Sequence, residues 1–356
     1  MKAFKTKNSS ATACMLISVL LWALIPVFMH VGEGDATPFM FHAAFSLFAL
    51  IGTFFVLLAF YPLELRNGKN WKIIVEKCKT QSFMHVILCN FNYIILCWSL
   101  KYINVSIASV LFETWPLWFV LFANNAFKNK NHYQKINGFN CVCLLMGFMG
   151  VVFVILSQSQ INGIGRDGAG WVLAILGCLS ALISGCMGAL VISNSIKLGR
   201  DASDEIINNT PHFKKDLSIF FTLITMSIAA VPSIVIAGAA GLVWEKEAVE
   251  IDNMLIAAIL GVFIVTFARL FLYAANLMTD KLQINAISYT TPLWTMTYLA
   301  ILDEISTLKI DWLTMGVLGI ITANIILNSN ALKNLKIQYT LVGIWFFGVL
   351  FTNAII

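Results

Sequence analysis

The chain has 356 residues, 59% of them hydrophobic and only 12% charged, with a mean hydropathy of +0.83. A soluble domain carries about 25% charged residues, so this chain has too little polar surface to cover a globule in water. A water-soluble fold is excluded and a polytopic membrane protein remains; the net charge of +5 is informative through its distribution.

Lys2, Lys5 and Lys7 precede an apolar run over 11–31. That run is longer than a signal-peptide core of about 7–15 residues and ends in no small-x-small site. It is expected to be an uncleaved first span. A spanning helix needs about 20 apolar residues. Ten runs are expected to cross: 11–31, 39–61, 82–100, 104–127, 136–157, 170–194, 216–242, 254–277, 283–302 and 312–330. A further run, 338–356, is expected to cross as an eleventh helix. The runs are continuous rather than alternating, which favours helices over a barrel.

The connections test this order. Of the 23 Lys and Arg, 18 fall on one side of the expected membrane, four on the other, and Arg269 inside a span. Such a bias makes the first side cytoplasmic, N-terminus included. The multi-pass cell membrane of a bacterium, its inner membrane, is the expected location. Seven of the eight cysteines sit in apolar runs and read as small hydrophobes. Cys141-x-Cys143 has no second pair and no histidine at zinc spacing, so no metal site is expected.

Two motifs recur five spans apart. Glu113-Thr-Trp-Pro-Leu-Trp118 in span four returns as Tyr289-Thr-Thr-Pro-Leu-Trp294 in span nine. Met146-Gly-Phe-Met-Gly-Val-Val152 in span five returns as Met315-Gly-Val-Leu-Gly-Ile-Ile321 in span ten. An odd number of spans per half forces opposite orientations, so the expectation is an inverted repeat. The first half is 1–162, the second 163–332, and 333–356 is an extra helix. Inverted repeats mark transporters, with a substrate site near the midplane.

The candidate site residues follow from that frame. Glu113 lies about 13 Å into its span at 1.5 Å per residue, where a charge is costly and needs a reason. Ser106, Ser109, Glu113 and Pro116 recur at helical spacing, and Asn285, Tyr289 and Pro292 form the matching stripe. Arg269 is the one basic residue inside a span, about 22 Å deep, and either faces a cavity or snorkels to the inner surface. Trp22 and Trp115 lie deep enough to line a cavity as readily as to pack. Pro26, Pro116 and Pro292 each free a backbone carbonyl one turn back and are candidate hinges. His30, His42 and His85 stand near helix ends and read as interface residues. Gly177, Ala181, Gly185 and Ala189 make a small-residue packing face. The string Gly163-Ile-Gly-Arg-Asp-Gly168 lacks the strand that a dinucleotide site requires. No catalytic cluster and no nucleotide-binding loop appears, so neither an enzyme nor a cofactor is expected.

These features resemble the drug/metabolite transporter superfamily, in particular EamA-type permeases. Trp22-Ala-Leu-Ile-Pro26-Val-Phe28, Leu100-Lys-Tyr102 leading into Ser106-Ile-Ala-Ser109, the prolines of spans four and nine and the Gly-x-x-Gly of spans five and ten carry the resemblance. It covers about residues 11–330. It implies a central cavity between the halves, alternating access and export of amino acids or other metabolites, often proton-coupled. Glu113 is not part of the general pattern, and the acid that commonly ends span four is absent.

The expected function is therefore a secondary transporter, an exporter of a small polar or zwitterionic metabolite such as an amino acid. Glu113 would meet the substrate amine or carry a coupling proton, since burial favours its protonated form. Arg269 would hold a carboxylate. The implied partners are a small-molecule substrate, the lipid bilayer and protons, with no nucleic acid. A channel or a non-transporting membrane protein is the alternative.

Overall fold

The computed structural model describes residues 2–33, 38–103, 105–115, 168–209, 217–245, 251–278 and 286–301, with isolated positions at 118, 119, 122, 146, 149, 150, 318, 319, 340, 343 and 344. The expected spans 136–157, 312–330 and 338–356 thus fall outside the described residues, those few positions apart. Every described element is helical: α1 (Lys2–Glu33), α2 (Pro38–Phe60), α3 (Pro62–Arg66), α4 (Gly68–Lys77), α5 (Gln81–Cys89), α6 (Asn92–Leu100) and α7 (Val105–Phe112). The C-terminal half supplies α8 (Gly168–Asn209), α9 (Ser218–Ala240), α10 (Ile251–Ala258), α11 (Thr266–Met278) and α12 (Thr291–Ile301).

Among the described residues six stretches are long and apolar enough to cross a bilayer: Ser10–Gly32, Pro38–Phe60, Gln81–Leu100, Val172–Glu205, Ser218–Glu245 and Ile251–Met278. They coincide with expected spans one, two, three, six, seven and eight. Their outward faces carry large bare apolar side chains, Phe54, Phe55, Leu58, Ile183 and Val235 among them. Such a surface suits lipid and not water. The chain is a multi-pass helical membrane protein.

One expected boundary changes and one connection gains structure. The connection 62–81 carries α3 and α4. Asn67 caps α4, its side chain accepting from the Lys69 amide at 3.0 Å, and Ile74 and Asn70 bury its inner face. Span six runs on past 194, because Ile196, Leu198 and Ala202 keep an apolar face buried while Arg200 reaches across to donate to the Asn276 carbonyl at 2.9 Å. Lys77 and Glu205 close an ion pair at 3.1 Å between these two additions.

Helices of the N-terminal part pack on those of the C-terminal part. α1 lies along α11 and α12, α2 lies on α9, and α8 rests on α5, α6 and α7. Glycine and hydroxyl contacts set the closest approaches. A Cβ on Gly261 would meet Phe48 Cβ at 2.6 Å and the Ala49 nitrogen at 2.7 Å, so backbone meets backbone between α2 and the π-helical turn Ile259–Val265. Thr266 Oγ1 donates to the Ala49 carbonyl at 3.1 Å across the same seam. Interhelical hydroxyl bonds of this kind are a usual adhesive where lipid gives no hydrophobic drive between helices.

Candidate functional site

Four spans lose regular α-helix near one level, and the reasons are local. In span three α5 stops at Cys89 and α6 begins at Asn92. The Asn90 side-chain amide donates to the Val86 carbonyl at 2.6 Å, competing with the helix ladder. In span eight the π-helical turn Ile259–Val265 gives way to α11 at Thr266. In span four α7 ends at Phe112, Glu113 and Thr114 form a turn, and helix resumes at Trp115. In span nine the 3-10 turn Ala286–Thr290 gives way to α12 at Thr291. Thr114 Oγ1 donates to the Leu111 carbonyl at 2.7 Å, and Thr290 Oγ1 to the Ile287 carbonyl at 2.8 Å. Pro292 is therefore the second residue of α12, directly after that 3-10 turn.

A narrow cleft of about 10 Å³, room for roughly one water molecule, lies beside the breaks in spans three and eight. Trp22 of α1, Asn92 and Tyr93 of α6, and Arg269 and Tyr273 of α11 line it, with Gly188, Val191, Ile192 and Met226 completing the wall. Arg269 thus faces the cavity and does not snorkel. Its guanidinium carbon stands 5.7 Å from the centre of the Tyr93 ring, a distance at which cation and ring attract. Its Nε is buried without a hydrogen-bond partner, as is Trp22 Nε1. Leaving one buried donor unpaired costs about 1–3 kcal/mol.

Glu113 stands one layer back. It is fully buried, its Oε2 accepts from Trp115 Nε1 at 3.1 Å, and its Oε1 has no partner among the described residues. Trp115 in turn lies against Trp22, ring centres 6.3 Å apart. The carboxyl therefore reaches the cavity through two indoles and does not line it. Ser109 does not line it either; its hydroxyl donates to the Val105 carbonyl at 2.6 Å within its own helix. Pro26 is buried inside α1, which continues through it. Tyr289 falls on the turn Ala286–Thr290, while Asn285 and Pro116 lie outside the described residues.

Sequence reasoning missed Tyr93, Tyr273 and the role of His42. His42 is not an interface residue: it is 1% exposed, its ring lies edge-on to Phe45 at 5.1 Å and 6.3 Å from Tyr93, and neither nitrogen has a partner. It shares the inward face of α2 with Phe41, Phe45 and Ala49. A signal for Tyr93 existed. Pro116 and Pro292 stand 176 positions apart, and so do Tyr93 and Arg269.

The small-residue face of α8 reads as expected. A Cβ on Gly177 would meet Ile103 Cγ2 at 2.9 Å, and one on Gly185 would meet the carbonyl oxygen of Phe112. The end of α7 thus rests directly on α8.

Among the described residues, then, apolar helices interrupted in several spans surround a cavity lined by an arginine, the architecture of a multi-pass membrane protein. Residues 9–156 match the EamA-like transporter family. That match, over somewhat less than half of the chain, supports an assignment to the EamA type of the drug/metabolite transporter superfamily and suggests a membrane transporter. No curated protein matches. Eight chains of solved structures do. One, described only as the crystal structure of a protein, superposes with a TM-score of 0.59 at 16% identity. It covers 92% of this chain and 99% of its own length, a likeness of fold.

Proposed function

We propose that the chain is a secondary active transporter working by alternating access between two inverted halves, 1–162 and 163–332, with 333–356 as an added helix. Its substrate is a small polar or zwitterionic metabolite, amino acids being the leading class. It moves outward across the cell membrane, with the N-terminus in the cytoplasm. Paired irregularity carries this reading: spans three and eight, and spans four and nine, break at positions 176 apart, and the residues beside the first pair of breaks, Asn92, Tyr93 and Arg269, line one cavity. Interrupted helices at corresponding places in two halves are where transporters of inverted build hold their substrates.

Two hydrogen bonds support the inversion independently. Ser18 Oγ donates to the Ala268 carbonyl at 2.9 Å, and Ser184 Oγ to the Asn92 carbonyl at 2.6 Å. Ser184 lies 166 positions after Ser18, and Ala268 lies 176 after Asn92. One bond thus becomes the other when the halves exchange. The Lys77–Glu205 pair joins segments 62–81 and 195–215, which the positive-charge bias puts together on the cytoplasmic side.

Arg269 is the substrate contact in this reading. Glu113, buried with one oxygen unpartnered among the described residues, is the carrier of a coupling proton rather than a contact for the substrate amine, since it is not among the residues that line the cavity. A channel would favour a charged or polar ring around an open path; the lining described has one charge and a narrow lumen.

Purified protein in proteoliposomes, assayed for flux of an amino-acid and metabolite panel with and without a pH gradient, tests the proposal. Saturable, pH-driven accumulation is expected. Electrical conductance without saturation would reject it in favour of a channel.

A further inference from the structure

The described lining of the cavity is rich in donors and carries no acid. Trp22 Nε1 and Arg269 Nε sit on helices from opposite halves; both atoms are buried and have no partner among the described residues, both side chains line the cavity, and neither atom can accept a hydrogen bond. Behind the Tyr93 wall, His42 keeps both ring nitrogens free. Among the described lining residues there is no Asp or Glu. The carboxyl of Glu113 is held by Trp115, behind the Trp22 ring.

Such groups decide which end of a substrate is recognised. Unpaired buried donors call for an acceptor, and a carboxylate supplies two oxygens to an Arg and an indole together. An ammonium finds no anion here. It would meet only ring faces, and the Tyr93 ring already lies beside the like-charged Arg269 guanidinium. Asn92 and the tyrosine hydroxyls can serve either role and do not discriminate.

Resting on the transporter reading above, we infer that the substrate is recognised through its carboxylate alone: the site takes organic monoanions, and an amino group on the substrate is dispensable. Of the two charges of an amino acid, one is read and the other is tolerated.

Competition in proteoliposomes with three matched probe sets tests this. Alanine, leucine and phenylalanine are each offered as the zwitterion, as the N-acetyl derivative, which is anionic only, and as the amide, which is cationic only. The N-acetyl forms are expected to compete at least as well as the free amino acids, and the amides at least tenfold more weakly. Arg269→Gln should abolish the preference for the anion. Trp22→Phe, which keeps a ring and removes the N–H, should weaken the anions several-fold and leave the amides unchanged. That second variant, with the wild-type panel, keeps the test valid where Arg269→Gln does not fold. Amides that compete as well as the N-acetyl forms would overturn the inference and leave the transporter reading standing. If folded wild-type protein moves none of the nine probes nor any of the metabolite panel, the transporter reading fails, and this inference with it.

Discussion

The two halves of the proposed repeat would share a frame and divide the chemistry. At the level of the cavity the first half places Tyr93 where the second places Arg269, 176 positions later. At the turn in span four the first half places Glu113, and the second places Tyr289 at the same separation. Backbone behaviour is common to both: Thr114 and Thr290 each donate to the carbonyl three residues back, and Ser18 and Ser184 make matching bonds between helices. Charge is not shared. At these two pairs of positions the groups differ in charge: Arg269 stands where the first half has Tyr93, and Glu113 where the second has Tyr289. A frame with two-fold character can present alike to both sides of a membrane, whereas binding one polar substrate requires that its lining differ.

The largest expected effect comes from removing that difference at the cavity. Removing one partner of a buried charged contact costs about 2–5 kcal/mol. Arg269→Gln should therefore weaken apparent substrate affinity by at least about 30-fold, read as the concentration for half-maximal flux. Tyr93→Phe keeps the ring beside the guanidinium and removes only a hydroxyl, worth about 0.5–1.5 kcal/mol. Its loss should stay near or below about tenfold. Equal losses at the two positions would mean that the lining acts symmetrically.

The next effect concerns the frame. Gly185 of α8 lies 166 positions after Val19 of α1. Val19 is buried with a full side chain, but a Cβ at Gly185 would strike the Phe112 carbonyl. Gly185→Ala should lower stability by about 1–3 kcal/mol, the usual cost of overpacking, read as a fall in the thermal midpoint in detergent. A neutral result would mean that α7 can withdraw from α8.

Much of this fold was legible in the sequence. Hydropathy located the six described crossing stretches, because lipid demands runs of apolar residues whatever their packing. The repeated Pro-Leu-Trp pointed to the right level of the molecule. What stayed hidden depends on rotation about helix axes and on local backbone. Depth alone could not say whether Arg269 faces a cavity or the surface. A proline inside an apolar run looks the same whether it sits mid-helix or directly after a 3-10 turn, as Pro292 does. Ser109 shared a stripe with Glu113 but turns its hydroxyl to its own helix. His42 looked like an interface residue by its nearness to a helix end, although its neighbours Phe41 and Phe45 mark an inward face.

Glu113 sharpens the comparison at the turn in spans four and nine. A proton crossing one pH unit supplies about 1.4 kcal/mol, a tenfold accumulation. Glu113→Gln keeps an oxygen to accept from Trp115 Nε1 and loses the titrating proton. It should leave counterflow exchange near wild type while a one-unit pH gradient no longer drives that tenfold accumulation. Persistence of pH-driven uptake would remove Glu113 from coupling.

The smallest effect tests the symmetry of the frame itself. Interhelical hydroxyl bonds in membranes average about 0.6 kcal/mol. Ser18→Ala removes the bond to the Ala268 carbonyl and Ser184→Ala the bond to the Asn92 carbonyl. Because the two join different helix pairs and share no partner, the losses should be equal within error and should add in the double variant. Both serines are fully buried, so neither carbonyl gains bulk water in exchange. Thermal unfolding of the two single variants and the double variant in one detergent measures this. A loss confined to one serine would mean that the matching bonds are alike in geometry but unequal in what they hold together, with one half bearing the tension between the helices and the other merely following it.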